Sequence, residues 1–582
     1  MKTLLSPFKN DWKLLLILSI PSVLLVGMFG LYQLDILTLP NILSLGIVKL
    51  LSEFLFLGAC LCFLQALGIK NKWVLGVLLF LYYVLLTADL VLLWYFKERF
   101  GAKYFDTLQG GDYAFMADPR VSGYLFGVFL FSIFMVRKFF VPCPRKTAVA
   151  HGVIYAGGFV LLLWLNPLHL LPAPNDFYTT YLTPSSLYYT SRALLTPSPR
   201  ALLTPQLDKQ TAQLAETYNV FTAKNTGVGK NYKRVILIAS ESLSNKYLHH
   251  FNPNIPADAS RELDKLYENN PSASLKHVTL STLYGLTVIF TSHPYAQLSF
   301  ENNYPISLVK ELKKHNFHTA FLRGANEQYM QENILFQQAG FDEVIGATYF
   351  QTRDDYKTYV NWWGLLDRKL FDYAIEYLQT QKDTPVFLTL LTVDSHVPLG
   401  RLDYLGETYR EVDHKFYQTP TLPRAFGRFG QDVSRFLDNL QKANLWDEDT
   451  LVLIMPDHPS YSNTPTNALF KPFLPEFDNL PFIIVTKNQI TQSLTDDPLA
   501  SQLDIAPTVL DLLNIAIPRG MFGHSLFEPN VSRSVFDIKE DYAVVTTADK
   551  RRIVPLNSRK EDDRPVLSLL KTFFLLPPTA AP

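Results

Sequence analysis

Cysteine is almost missing from this 582-residue chain: there are three, Cys60, Cys62 and Cys143, all in its first quarter. Everything beyond residue 143 is therefore without a disulfide, a cysteine-held metal or a thiol nucleophile. Net charge is missing too. Fifty-three Lys and Arg balance 53 Asp and Glu, so there is no basic excess of the kind a nucleic-acid partner would need. Internal repetition is confined to one short duplication, RALLTPSP followed by RALLTPQL, which excludes a solenoid. No small-residue cleavage site follows the first apolar run, which is also too long for a signal peptide and is succeeded by others, so it is not read as a cleaved leader.

Apolar residues are abundant but unevenly placed. Runs cover Leu14–Leu34, Leu50–Ile69, Trp73–Phe96, Val121–Val136 and Ala148–Leu171, each near the roughly 20 residues that span a bilayer core. The fourth is short and extends by snorkelling of Arg137 and Lys138. Lys2, Lys9 and Lys13 precede the first run, Lys70 and Lys72 separate the second and third, and Arg137, Lys138, Arg145 and Lys146 separate the fourth and fifth. The positive-inside rule puts these loops in the cytoplasm and everything after about Pro172 outside. Lys97, Arg99, Lys103 and Arg120 run against that rule. They alternate with Glu98, Asp106, Asp112 and Asp118, the pattern of an interfacial helix. The expected organisation is a five-helix transmembrane domain over 1–172, a linker along the membrane surface over 173–231, a catalytic domain over 232–530, and a hairpin and tail over 531–582.

Beyond the linker, buried-type strands alternate with amphipathic helices. Strands are expected at Arg234–Ala239, His318–Leu322, Val386–Val393, Thr450–Met455 and Phe482–Thr486. Helices are expected near Leu308–His315, Leu365–Gln381, Gln431–Ala443 and Asp504–Leu513. This alternation predicts an α/β domain with a mostly parallel sheet, with a hairpin around Asp549 and Lys550. Such sheets carry their chemistry beyond the carboxyl ends of the strands, and three of these ends are unusual. VILIA runs into Ser240 and Glu241, LTLLTV into Asp394, Ser395 and His396, and TLVLIM into Pro456, Asp457 and His458. Taken singly, Glu241 is either a solvating strand end or a ligand, and one Asp-His pair means little. Three such ends in one domain point to a divalent ion held by oxygen and imidazole, which suits manganese or zinc. Between the first two strands, Thr287 follows Gly285 and opens the apolar run VIF. At a helix start it reads either as an ordinary N-cap or as a hydroxyl placed to meet a phosphate.

The order Glu241, Thr287, His396, Asp457-His458 resembles the alkaline-phosphatase/sulfatase superfamily, in its membrane branch of lipoteichoic acid synthases, phosphoethanolamine transferases and phosphoglycerol transferases. Similarity to the last group is carried by YGLTVIFTS, by FLRGANEQYMQENILFQQAGFDEVIG, by WGLLD ending at Asp367, by LTVDSHVP and by LDIAPTVLDLL. The resemblance implies a sulfatase-like, alkaline-phosphatase-type extracytoplasmic domain on a multi-pass anchor in a bacterial inner membrane, with the catalytic domain in the periplasm. It implies a metal shell of Glu241, Thr287, Asp457 and His458 around one Mn2+ or Zn2+, with Thr287 as nucleophile. His396 would hold the transferred phosphate or assist the leaving group, and Arg323 and Trp363 would line the head-group pocket. The implied reaction moves phosphoglycerol from phosphatidylglycerol through a phosphothreonine diester to a glycan or other hydroxyl acceptor. The alternatives are phosphoethanolamine transfer from phosphatidylethanolamine to lipid A or a glycan, and a catalytically silent membrane scaffold. Pro459 and Ser460 stand where relatives often carry Gly or Leu. Three acidic or basic side chains stand at or in the apolar runs, Lys49 and Glu53 at the start of the second and Asp89 late in the third: Lys49 and Glu53, spaced i, i+4, read as a local ion pair, or with Asp89 as an entry for a lipid head group.

Overall fold

A computed structural model describes Leu15 and residues 39–96, 119–140, 142, 144–165, 209–279, 281–294, 306–328, 332–360, 364–382, 384–396, 422–460, 478–538, 542–555, 558 and 560–571. The chain divides into two compact units, Met1–Ala201 and Leu202–Pro582.

The N-terminal unit contains α1 (Leu39–Ala66), α2 (Lys72–Phe96), α3 (Pro119–Phe139) and α4 (Arg145–Leu165). Helix α1 packs on α4, and α2 on α3. Glycines set both approaches. A Cβ on Gly58 would fall 2.7 Å from the Tyr155 ring, and one on Gly76 would fall 2.3 Å from the Ile133 side chain; small residues allow such close passage between apolar helices. Lys49 Nζ lies 3.3 Å from Glu53 Oε1, and both side chains are fully buried, as the i, i+4 spacing predicts. Among the described residues one stretch, Lys49–Ala66, is by itself long and apolar enough to cross a membrane. The expected first span, apart from Leu15, and the charged segment 97–118 lie outside the described residues, as does the side chain of Asp89.

The C-terminal unit is built on a seven-stranded sheet in the order β2-β7-β6-β1-β5-β3-β4. The strands are β1 (Arg234–Ser240), β2 (Ser272–Leu275), β3 (His318–Arg323), β4 (Glu343–Ile345), β5 (Val386–Leu391), β6 (Thr450–Pro456) and β7 (Leu480–Thr486). The unbroken apolar runs of β1, β5 and β6 reflect two cores fed by alternate residues. Val235, Leu237 and Ala239 enter one core with Phe387, Leu391, Leu451 and Leu453. Ile236 and Ile238 enter the other with Leu388, Leu390, Val452 and Ile454. Helices α7 (Thr282–Thr291), α8 (Leu308–Lys314), α9 (Glu332–Ala339) and α12 (Ile505–Leu512) contribute to the first core. Helices α6 (Arg261–Asn269), α10 (Asp367–Thr380) and α11 (Leu422–Lys442) contribute to the second.

Strands β6, β1, β5, β3 and β4 are mutually parallel, whereas β7 runs antiparallel to β6 and β2 antiparallel to β7. In register, Ala239 lies beside both Leu391 and Met455, and Arg323 lies beside Leu391. Four carboxyl ends therefore meet at one edge of the sheet. Near the C-terminus, β8 (Val535–Ile538), β9 (Tyr542–Thr546) and β10 (Arg551–Pro555) form a separate antiparallel sheet that includes the expected hairpin. Helix α5 (Lys209–Thr217) packs on α13 (Arg564–Lys571), and Val220 enters the same small core. Residues 209–231, read from sequence as linker, are thus built into the C-terminal unit.

Candidate metal centre

At the shared edge the backbone turns sharply after each strand. After β1, Ser242 adopts φ +62° and places its N–H on Asp457 Oδ1 at 3.0 Å and its hydroxyl on Glu241 Oε1 at 2.5 Å. The Glu241 N–H donates to Thr392 Oγ1 at 3.0 Å, beyond the end of β5. After β6, the His458 N–H donates to Asp457 Oδ1 at 2.8 Å. These contacts leave the side-chain ends of Glu241, Asp457 and His458 facing one another, with one ligand atom from each within 4.8 Å of the others. His458 Nε2 is 3.3 Å from Glu241 Oε1 and 3.5 Å from Asp457 Oδ2, and all three side chains are buried.

The fourth member differs from the expectation. Helix α7 begins at Thr282, not Thr287, with Ser281 as an extended N-cap. Thr282 Oγ1 lies 3.1 Å from His458 Nε2 and 3.3 Å from Glu241 Oε2. Thr287 is more than one turn further along, and its buried hydroxyl donates to Leu283 O at 2.7 Å. The register error comes from Gly285, read as a helix boundary. It lies inside α7 because a Cβ there would come within 2.0 Å of Asp457 O: the glycine lets the helix approach the ligand turn. Gly285→Ala should therefore destabilise the domain by at least about 1–3 kcal/mol and weaken metal binding, as measured by thermal unfolding with and without Mn2+. A variant as stable and as metal-competent as the parent would contradict this packing.

Burial alone would raise the Glu241 carboxyl, but the nearby charges of His396 and His458, with hydrogen bonds from His458 and Ser242, bring it down to about 2. Burial, reinforced by the charge of Glu241, pushes Asp457 up to about 7. For His458, burial opposes the cation, but the carboxylates of Asp457 and Glu241 prevail and raise it to about 9. Two acids and an imidazole compressed in this way are a set of donors for a cation. The donor chemistry fits a divalent ion taking oxygen and nitrogen. So does Asp457 Oδ2, a buried oxygen that receives no hydrogen bond among the described residues.

His396 follows the turn beyond β5, where its N–H donates to Val393 O at 3.0 Å, and its charge is felt at Glu241. Arg323 ends β3 and forms a buried ion pair with Glu332, so its guanidinium is held from the α9 side. Trp363 lies outside the described residues. Three supporting groups were not anticipated from sequence: Ser242, Thr392 and Gln502, whose Nε2 donates to Asp457 O at 2.6 Å. The signal that could have found Thr282 is Ser281-Thr282 directly before the apolar residues of α7, an ordinary helix start.

The sulfatase family profile matches residues 233–515, the segment that supplies all of these groups. Residues 233–515 are similar to sulfatase-family domains. Phosphoglycerol transferase I from Salmonella arizonae is 28% identical over 243 residues, which is 40% of this chain and 30% of that protein. Its counterpart from Salmonella choleraesuis is 26% identical over 235 residues, 39% and 29% respectively. The chain thus matches less than a third of the length of these curated relatives. Among solved structures, the integral membrane protein lipooligosaccharide phosphoethanolamine transferase A from Neisseria meningitidis is 16% identical, with a TM-score of 0.56 over 86% of this chain and 95% of that one. That likeness concerns fold. It covers more of the chain than the C-terminal unit could supply, and so reaches into the N-terminal unit.

Proposed function

We propose that the protein is a metal-dependent transferase that moves a phosphoglycerol head group from a phospholipid to an extracytoplasmic hydroxyl acceptor. The single observation that carries this reading is Thr282: a hydroxyl at a helix N-terminus, within hydrogen-bond reach of both Glu241 and His458. Glu241, Asp457, His458 and Thr282 would hold one Mn2+ or Zn2+. Such an ion would supply Lewis acidity, making the Thr282 hydroxyl nucleophilic at neutral pH and neutralising charge on the phosphoryl oxygens.

Thr282 reacts as the alkoxide, its hydroxyl proton having passed to solvent: Oγ1 attacks phosphorus, the bond to the diacylglycerol oxygen breaks, and the departing oxygen takes a proton from the His396 imidazolium. The product is a phosphothreonine diester. In the second half, an acceptor hydroxyl gives its proton to His396 and attacks phosphorus, and the bond to Thr282 Oγ1 breaks. The positive end of the α7 dipole would lie toward the phosphoryl oxygens and stabilise their charge. Arg323 and Trp363 are assigned to the head-group side of the site. The N-terminal helices would anchor the enzyme as five spans in a bacterial inner membrane with the catalytic domain in the periplasm, where an outer-leaflet lipid is the donor and a glycan or lipid the acceptor.

Incubating the Mn2+-loaded protein with phosphatidylglycerol vesicles and weighing the Thr282 peptide tests the reading. The expected result is a glycerophosphoryl adduct on Thr282. An ethanolamine phosphate adduct, formed only with phosphatidylethanolamine vesicles, would instead favour the second reading, to which the likeness to a phosphoethanolamine transferase fold lends support. No adduct with either lipid, together with no metal bound, would leave the silent scaffold.

A further inference from the structure

The turn after β5 is held by a contact that the reaction above leaves unused. Asp367, the first residue of α10, and Asp394, in the turn, are both buried, and each clasps the other's backbone. The Val393 N–H donates to Asp367 Oδ1 at 2.7 Å and the Asp394 N–H to Asp367 Oδ2 at 3.1 Å. The Asp367 N–H in turn donates to Asp394 Oδ2 at 3.0 Å. Both oxygens of Asp367 are thus committed to the backbone of the turn.

The opposite side of that turn is tied to the metal ligand. Ser395 Oγ donates to Glu241 O at 2.6 Å, and the Glu241 N–H reaches Thr392 Oγ1. His396 closes the turn through its N–H to Val393 O. Upstream of Asp367, the Leu365 N–H donates to Gly324 O at 2.8 Å, and the Gly324 N–H donates to Leu391 O at 3.2 Å. Gly364, with φ +135°, passes so close to Gly324 that a Cβ would stand 2.0 Å from its carbonyl oxygen. Residues 364–367 are therefore threaded between the ends of β3 and β5, and Asp367 is the last attachment.

Two facing carboxyl groups out of water are an unfavourable way to fasten a loop. Burial first, and the charge of Asp394 second, push Asp367 well above the ordinary carboxyl range. A neutral Asn could accept only one of the two backbone N–H groups, and its own NH2 would face the other donor. What the carboxylate contributes is a two-point grip on consecutive residues of the turn that carries His396.

We propose that Asp367 is a positioning residue: by gripping Val393 and Asp394 it fixes where the His396 imidazole stands relative to Glu241 and the phosphoryl group. This rests on the reading in which His396 protonates the leaving alkoxide. The proposal is tested on the full chain with two substrates, phosphatidylglycerol in vesicles, whose leaving oxygen needs a proton, and bis(p-nitrophenyl) phosphate, whose leaving group does not. General-acid assistance is worth about 100-fold or more. Asp367→Asn should therefore lose about that factor in kcat on the lipid, with a much smaller loss on the nitrophenyl ester and unchanged Mn2+ binding by calorimetry. The Asp367→Asn/His396→Ala double variant should be no slower on the lipid than His396→Ala alone, since both changes remove the same contribution. Asp367→Glu keeps the carboxyl group but displaces the grip, and should show the same substrate-selective loss; it serves if the Asn variant does not fold. Equal losses on both substrates, multiplying losses in the double variant, or a fully active Glu variant would overturn the proposal. A wild-type chain that turns over neither substrate, or a His396→Ala variant with no loss on the lipid, would instead remove the parent reading.

Discussion

Thr282→Ala should abolish the covalent phosphothreonine adduct and lower transfer by about 10,000-fold or more, the scale seen when a nucleophile is removed. Thr287→Ala should retain the adduct. Its hydroxyl serves Leu283 O within the helix, so its loss is a matter of about 1 kcal/mol of stability. Mass spectrometry of the α7 peptide distinguishes the two, because both threonines lie on one fragment but only one can carry the group. An adduct surviving in Thr282→Ala would refute the assignment of the nucleophile. Thr291 provides an internal control: its hydroxyl donates to Thr287 O at 2.7 Å, and Thr291→Ala should behave like Thr287→Ala.

The second large effect is expected at Asp457. Its Oδ1 is occupied by the N–H groups of Ser242 and His458, while Oδ2 receives no hydrogen bond among the described residues. One oxygen builds the turn and the other is left for the ion. Asp457→Asn can preserve the first role while removing the charge of the second, so the variant should fold, bind Mn2+ or Zn2+ at least about 100-fold more weakly, and lose about 1,000-fold in transfer at fixed metal. Calorimetric titration with metal and a melting curve separate these effects. Full metal occupancy in the folded Asn variant would be incompatible with the proposed shell.

Much of this arrangement was legible in the sequence because the physics behind it is local. The runs at β1, β5 and β6 are apolar on both faces and end abruptly in acids and imidazoles, and parallel pairing carries such ends to one edge whatever the intervening chain does. The reversed direction of β7 could not be read, since an apolar run such as FIIV has the same composition whichever way it points. Short edge strands such as β2 alternate polar and apolar residues, as SASL does, over too few positions to stand out from a loop. Thr287 was mistaken for the helix start for a related reason. Glycine has two uses, ending helices and permitting close approach, and only the position of Asp457 O beside Gly285 tells them apart. The Asp367–Asp394 clasp was equally hidden, because its partners lie in two motifs whose proximity is a property of the folded sheet.

Strand β1 occupies the middle of the sheet, and this has a consequence for how the protein comes into being. The Glu241–Thr392 and Ser242–Asp457 hydrogen bonds join residues 151 and 215 positions apart. During synthesis Glu241 emerges long before either partner, and for that interval both edges of β1 are open to incorrect pairing. Contacts of such separation also form slowly, because the chain must close large loops before they contribute. Until His458 has been made and β6 has docked, a passing cation meets an isolated carboxylate, so uptake of the ion would mark the docking of β6 against β1.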